Sequence, residues 1–265
     1  MSTAPEPHEI YERVEDEGKR RLGRSRLEIG ATALVAGFDV VFGVIALSTI
    51  AAAFTPKLGE EPAHALGALG FGIAFIFIVV GRSELFTENF LVPVIGLREQ
   101  LITKLKLAEL WFISPILNIA GGTILITIVS VHGVLPHGAA DTLIKIAEGF
   151  DKNSVLTAFC SAIVGGALIT AMTWMLEAVG STGGRILVAW ICGVLLTLGS
   201  FNHVIVVTLE MIFGLFFHAN IGGLDVLQNF LTAVAGNMVG GLCFVTLTRT
   251  GQAIGSSDDE GPTEN

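Results

Sequence analysis

Six long apolar stretches make up most of this chain, and polar residues interrupt two of them. They run from Ile29 to Phe54, Ala65 to Leu97, Leu110 to Val131, Asn153 to Leu176, Ile186 to Phe217 and Val226 to Thr248. A helix needs roughly 20 apolar residues to cross the hydrocarbon core, so all six qualify as spans and little is left for a soluble domain. A mean hydropathy of +0.71 agrees. So does a charged fraction of 15%, against ~25% in soluble proteins. The expected class is an all-α membrane protein with six transmembrane helices.

The interruptions carry the information. From Gly199 to Ile212 the fifth stretch reads Gly-Ser-Phe-Asn-His-Val-Ile-Val-Val-Thr-Leu-Glu-Met-Ile, which places His203 in a run with no formal charge between Ile186 and Leu209. Ionisable side chains at that depth are costly and mark functional positions by default. A core histidine satisfied by its neighbours is the competing reading. In the second stretch, Gly81 to Leu91 brings Arg82, Glu84, Thr87, Glu88 and Asn89 together, and Pro93 follows. Proline is tolerated in the first turn of a helix, so a second short helix is expected to start near Asn89. A loop at the membrane edge is the alternative. It leaves Ala65–Val80 short for a full crossing and gives Phe90–Leu97 no role.

Two features recur at nearly one offset. Gly81 and Gly199, which open the interruptions, lie 118 residues apart, and Asn118 and Asn237 lie 119 apart. Asn118 precedes Gly121 and Gly122, and Asn237 precedes Gly240 and Gly241; small residues at this spacing let helices approach closely. The two halves therefore read as copies. With three spans each they must be oppositely oriented, and inverted repeats with paired broken helices place a site near the bilayer midplane. Spans 2 and 5 are the broken ones.

Eleven Lys and Arg residues fall in the N-terminal tail, the second and fourth loops and the C-terminal tail, against Lys57, Lys145 and Lys152 in the opposite loops. Basic residues near span ends are retained in the cytoplasm, so both termini are expected inside a cytoplasmic (inner) membrane. Residues 1–27 form a tail with a short amphipathic helix, supported by Glu15/Lys19, Asp16/Arg20 and Glu17/Arg21 at i,i+4 spacing. Residues 28–250 form the six-span domain, and 251–265 read as a disordered acidic tail. Asp141–Phe150 reads as a short amphipathic helix on the outer face. Asp39, within the first span, has Arg82 as a candidate partner. Cys160, Cys192 and Cys243 lie on different spans and read as packing residues.

The motifs Leu85-Phe86-Thr87, Gly199-Ser200-Phe201-Asn202-His203 and Gly236-Asn237-Met238-Val239-Gly240-Gly241 resemble the formate/nitrite transporter (FNT) family. Glu17 to Arg24 and Glu84-Leu85-Phe86-Thr87-Glu88-Asn89 are similar to its YfdC-like subgroup. The resemblance covers nearly all the membrane portion. It implies a homopentamer of aquaporin-like protomers, each with its own pore for small monovalent anions. Carried over by position, His203 is the central histidine, Thr87 its partner and Asn202 its neighbour. Phe71, Phe75, Phe86 and Leu85 contribute to constrictions, with plain helix packing as the competing reading of the phenylalanines. The outer-vestibule lysine has its nearest counterpart in Lys152. Two departures stand out: Asn202 occupies the position where formate channels commonly have Glu, and Glu88 replaces a small polar residue. Glu84 and Glu88 beside the pore oppose anions unless paired or neutral.

The resulting expectation is passage of a weak-acid anion with protonation assisted at His203, and protons accompany it as possible co-substrates. The positive ends of two half-helices attract the anion. The competing expectations are another permeant (hydrosulfide, a neutral solute, or a cation attracted by Glu84, Glu88 and Glu210) and a non-transporting membrane scaffold. An enzyme is disfavoured, because the chain has no nucleophile–base pair, nucleotide loop or metal cluster. No cofactor, metal or nucleic-acid partner is expected.

Overall fold

The computed structural model describes residues 4–100 and 103–258, and among these the regular structure is helical. Helix α1 (Pro7–Leu22) precedes α2 (Arg26–Leu58) and α3 (Glu60–Gly81). A 3-10 turn at Phe86–Phe90 leads to the short α4 (Val92–Arg98), which completes the second span. The third span is α5 (Lys104–Val129), followed by α6 (Ala139–Asp151) outside the bundle and α7 (Val155–Ala178) as the fourth. The fifth is divided into α8 (Thr182–Leu198) and α9 (Val204–Phe216). The sixth is α10 (Gly223–Met238), which continues through a π-helical segment at Val239–Thr246 into α11 (Leu247–Asp258).

Spans 2 and 5 break in the same way, 118 residues apart. Arg82 and Ser200 both take a left-handed backbone conformation (φ 59° and 47°). Directly after them, the Ser83 N–H donates to Ile78 O at 3.1 Å and the Phe201 N–H to Leu196 O at 3.0 Å. Each helix is closed off by a carbonyl of its own last turn, and the chain turns back toward the bundle interior.

Each half also packs its first and third spans through glycine. A Cβ on Gly37 would overlap Asn118 O, and one on Gly121 would overlap Leu34 O, so α2 and α5 touch backbone to backbone. In the second half, Gly166 meets the Asn237 backbone and Gly240 meets Ile163 O. The expected inverted pair of three-span repeats is the observed architecture. Around it lies one apolar core, including Val40, Val44, Phe71, Phe75, Phe86, Phe90, Val204, Ile205 and Phe213.

The face on which the described residues begin and end is covered by α1. Ile10 and Val14 are buried against Leu91, Val92, Ile95, Trp174 and Ala253, so the helix docks rather than floats as a solvated charge run. Lys19 pairs with Glu15 at 2.9 Å and Arg21 with Glu17 at 2.8 Å, as the i,i+4 spacing predicts. Arg20 turns to Glu17 at 2.5 Å instead of Asp16. The expectation of disorder from Gly251 is overturned as far as Asp258, because α11 extends the sixth span and buries Ala253 beneath α1. The acids Asp259, Glu260 and Glu264 lie outside the described residues. The opposite face is covered by α6, slightly longer than its amphipathic pattern indicated and packed on α9 where Ala147 faces Gly214.

Candidate functional site

The two breaks return to the middle of the bundle and meet there. His203 ends the second break as the N-cap of α9, and its Nδ1 accepts the Val206 N–H at 3.3 Å. With Nδ1 used as an acceptor, the neutral ring carries its hydrogen on Nε2. That Nε2 lies 2.7 Å from Thr87 Oγ1, in the 3-10 turn of the first break, so the imidazole donates and the hydroxyl accepts. Both residues are fully buried. The bond leaves the Thr87 hydroxyl hydrogen available to a further acceptor. A positive charge on this ring would remove the Nδ1 acceptor and would sit at the positive end of α9.

Asn118 and Asn237 hold the two breaks in place by the same three hydrogen bonds. Asn118 Nδ2 donates to Ala33 O at 2.7 Å and Glu84 O at 3.1 Å, while Oδ1 accepts the Phe86 N–H at 2.9 Å. Asn237 Nδ2 donates to Ala162 O at 2.7 Å and Asn202 O at 2.8 Å, and Oδ1 accepts the Val204 N–H at 2.9 Å. Broken helices free backbone groups that lipid cannot satisfy, and one asparagine per half satisfies them. Other freed groups find side chains too. Asn89 O accepts from Trp111 Nε1 at 3.0 Å and Phe90 O from Thr246 Oγ1 at 2.9 Å. The Asn202 N–H donates to Ser161 Oγ at 3.0 Å.

The acids of the first break are both engaged by neighbouring groups. Glu84 is held by Arg21 Nη1 at 3.0 Å, from the last turn of α1, and by Arg24 Nη1 at 2.6 Å, from the segment joining α1 to α2. Glu88 Oε2 accepts the Leu85 N–H at 2.8 Å, which closes the 3-10 turn. These arginines stood in the sequence as part of a basic tail. Their pairing across some sixty residues has no local signal.

Asp39 is not paired with Arg82. Its Oδ2 accepts from Ser83 Oγ at 2.6 Å, and Arg82 is exposed because its left-handed backbone turns it out of the bundle. The Asn202 amide donates to Asn229 Oδ1 at 2.9 Å and to Ala158 O at 3.4 Å. Phe71 and Phe75 are fully buried and packed against one another with centroids 6.0 Å apart, and Phe86 is set edge-on to Phe90 at 4.9 Å. Leu85 is buried in the same core. Gly122 fits beneath Leu209, and Gly241 lies against Phe90 and Thr170.

Two cavities reach residues next to the His203–Thr87 pair, Phe201 and Val206 in one and Asn89 in the other. One of about 950 Å³, on the α6 face, is lined among others by His64, Lys145, Phe201, Val206 and Glu210. Lys145 is the lysine of this vestibule; Lys152 is the exposed C-cap of α6 and does not line it. The other cavity, of about 390 Å³, lies on the terminal face beside Arg21, Arg24, Glu84, Asn89 and Lys106. Phe201 entered the sequence reading only as part of the Gly199–His203 motif and Val206 was not singled out, because which face of α9 meets a cavity becomes visible only once the helix is placed.

The profile of the Formate/nitrite transporter family matches residues 8–250. The Inner membrane protein YfdC of Escherichia coli (strain K12) is 28% identical over 236 residues, covering 88% of this chain and 74% of that protein. The Formate channel BtFdhC of Bacillus thuringiensis is 22% identical over 245 residues, covering 90% and 92%. Among solved structures, an FNT family ion channel superposes with a TM-score of 0.80 at 18% identity, covering 90% of this chain and 96% of that one. A pentameric formate channel with formate bound superposes with a TM-score of 0.69 at 18% identity, covering 84% and 95%. Two inverted repeats, the paired breaks and the histidine–threonine contact thus belong with the profile match over most of the sequence: this chain is a member of the formate/nitrite transporter family.

Proposed function

We propose that each protomer conducts small monovalent weak-acid anions of the formate and nitrite class through the His203–Thr87 point. The 2.7 Å bond between the two breaks, with one vestibule on each side, carries this reading. An unscreened anion there pays several kcal/mol of desolvation. Taking up a proton at neutral pH costs a weak acid of pKa near ~4 about 4 kcal/mol, so the protonated form is competitive. His203 fixes the Thr87 oxygen by donating Nε2–H, and Thr87 offers its own hydrogen to the passing species. The pair shares hydrogen bonds with the permeant. The N-terminus of α9 adds a positive field at the same point. Leu85, Phe71, Phe75 and Phe86 make the surrounding wall dry.

The acids that seemed to oppose anions fit the same reading. Glu84 is neutralised by two arginines, and Glu88 is turned into the loop it stabilises. By analogy with the relatives, the chain assembles as a pentamer in a bacterial-type inner membrane. Its terminal face, richer in Arg and Lys, is cytoplasmic, and the α6 face is outer.

Formate flux in proteoliposomes, with reversal potentials in salt gradients, tests this. Formate movement above that of protein-free vesicles and an anion-selective reversal potential are expected. A cation-selective potential, or no flux, contradicts the reading.

A further inference from the structure

A neutral imidazole is a good hydrogen-bond donor and a poor proton source, so the neutral acid has to form before it reaches Thr87. Glu210 is the buried carboxyl on that path. It lies on α9 seven residues after His203, two helical turns and about 10 Å nearer the α6 face. Val206 and Glu210 both line the vestibule there, one turn apart. Glu210 is 96% buried, being 4% exposed. Among the described residues, no ion pair or hydrogen bond engages its carboxyl oxygens, unlike Glu84 and Glu88.

We propose that Glu210 is the proton-loading site of the outer vestibule: its carboxylic acid hydrogen-bonds the arriving weak-acid anion and passes its proton to it. This rests on the conduction reading above and deepens it. In the transfer, the carboxyl O–H bond breaks and an O–H bond forms on an anion oxygen. The neutral acid moves on past Phe201 toward Thr87, and the Glu210 carboxylate regains a proton from hydronium in the vestibule. One proton and one anion enter together. An ionised Glu210 repels the next anion, so admission waits on reprotonation.

The surrounding charges are compatible with this role. From α3, Glu60, Glu61 and His64 face the vestibule, and from α6 come Asp141 and Lys145, with His137 before that helix. Lys145 is taken by Glu60 at 2.5 Å, and His64 Nε2 contacts Thr197 O at 3.1 Å. Elements α2, α5, α8 and α10 bring no titratable group to this lining, and His203 caps the start of α9 at its far end from the vestibule. Among the described residues no cation pairs with Glu210, and burying an unpaired carboxylate is costly.

The test compares formate influx of the parent and E210Q in proteoliposomes across outer pH from about 5 to 8, the range in which an imidazole would also titrate. Parent influx is expected to rise as outer pH falls. E210Q should lose most of that rise and fall by about tenfold at the acidic end, the scale of one lost proton-transfer step. Superimposable profiles overturn the proposal while leaving the channel reading intact; absence of parent flux defeats both. A second readout needs no variant. Formate added to the parent should perturb a protonated-carboxyl infrared band, and no such band at any pH in the range overturns the proposal.

Discussion

At the residue scale the account depends on side chains that complete broken backbone. Asn118 and Asn237 each satisfy one N–H and two carbonyls, all buried. An unpaired buried group costs about 1–3 kcal/mol, so Asn237→Ala and Asn118→Ala should each lower thermal stability in detergent by several kcal/mol and by similar amounts. A variant that melts with the parent would contradict the latch. These two residues were legible as a repeated motif but read as packing positions, because the Asn-to-Gly spacing signals close helices and says nothing about what the amide reaches. Asp39 shows the reverse. Its burial was foreseeable from an acid in an apolar run, but its partner Ser83 depends on the left-handed turn at Arg82, a conformation the sequence does not announce. Glu84 and Glu88 were visible as acids in a break, but the arginines and the backbone N–H that engage them come together only in three dimensions.

At the scale of elements, two contrasts are testable. Gly37 and Gly240 lie against backbone carbonyls of a neighbouring span, whereas nothing comes within 4 Å of a Cβ placed on Gly180. Overpacking that forces backbones apart costs about 1–3 kcal/mol or more. Gly37→Ala and Gly240→Ala should therefore destabilise, and Gly180→Ala should be near neutral, read as the midpoint of thermal unfolding. Helix α1 provides the second contrast. Burial tends to raise the Glu17 carboxyl, but hydrogen bonds and charges from Arg20 and Arg21 outweigh it and bring it from 4.5 down to about 2. A depressed acid contributes its stability above its unfolded value and loses it as pH falls through the folded one. Docking of α1 should therefore be intact at neutral pH and weaken between about 4.5 and 2. Tyr11, pushed from 10 up to about 12 by burial and by its hydrogen bond to Glu99, should hold the other side of the helix until the solution is strongly alkaline. Amide exchange across α1 checks both windows. Glu84→Gln removes both arginine pairs and should speed proteolysis of the α1–α2 connector at neutral pH, where unchanged cleavage would count against the clamp. The amphipathic pattern made α1 legible as a helix. Its dock was not, because the receiving surface is assembled from α4, α7 and α11.

On the scale of the whole molecule, the six spans, the inverted halves and the two breaks were readable because a bilayer leaves few solutions for a chain with this pattern. The cavities were not, since they are spaces between elements distant in sequence, and this is why Lys145 rather than Lys152 lines the one on the α6 face. The central claim is that the two breaks meet as one functional pair, His203 and Thr87. Formate flux across roughly pH 5 to 8 for the parent, Thr87→Val, His203→Phe and the double variant tests it most directly. The account predicts that each single change lowers flux by at least about tenfold, one lost hydrogen-bonding step, and that the double variant is little worse than either. Parent-like rate and pH dependence in His203→Phe would contradict it.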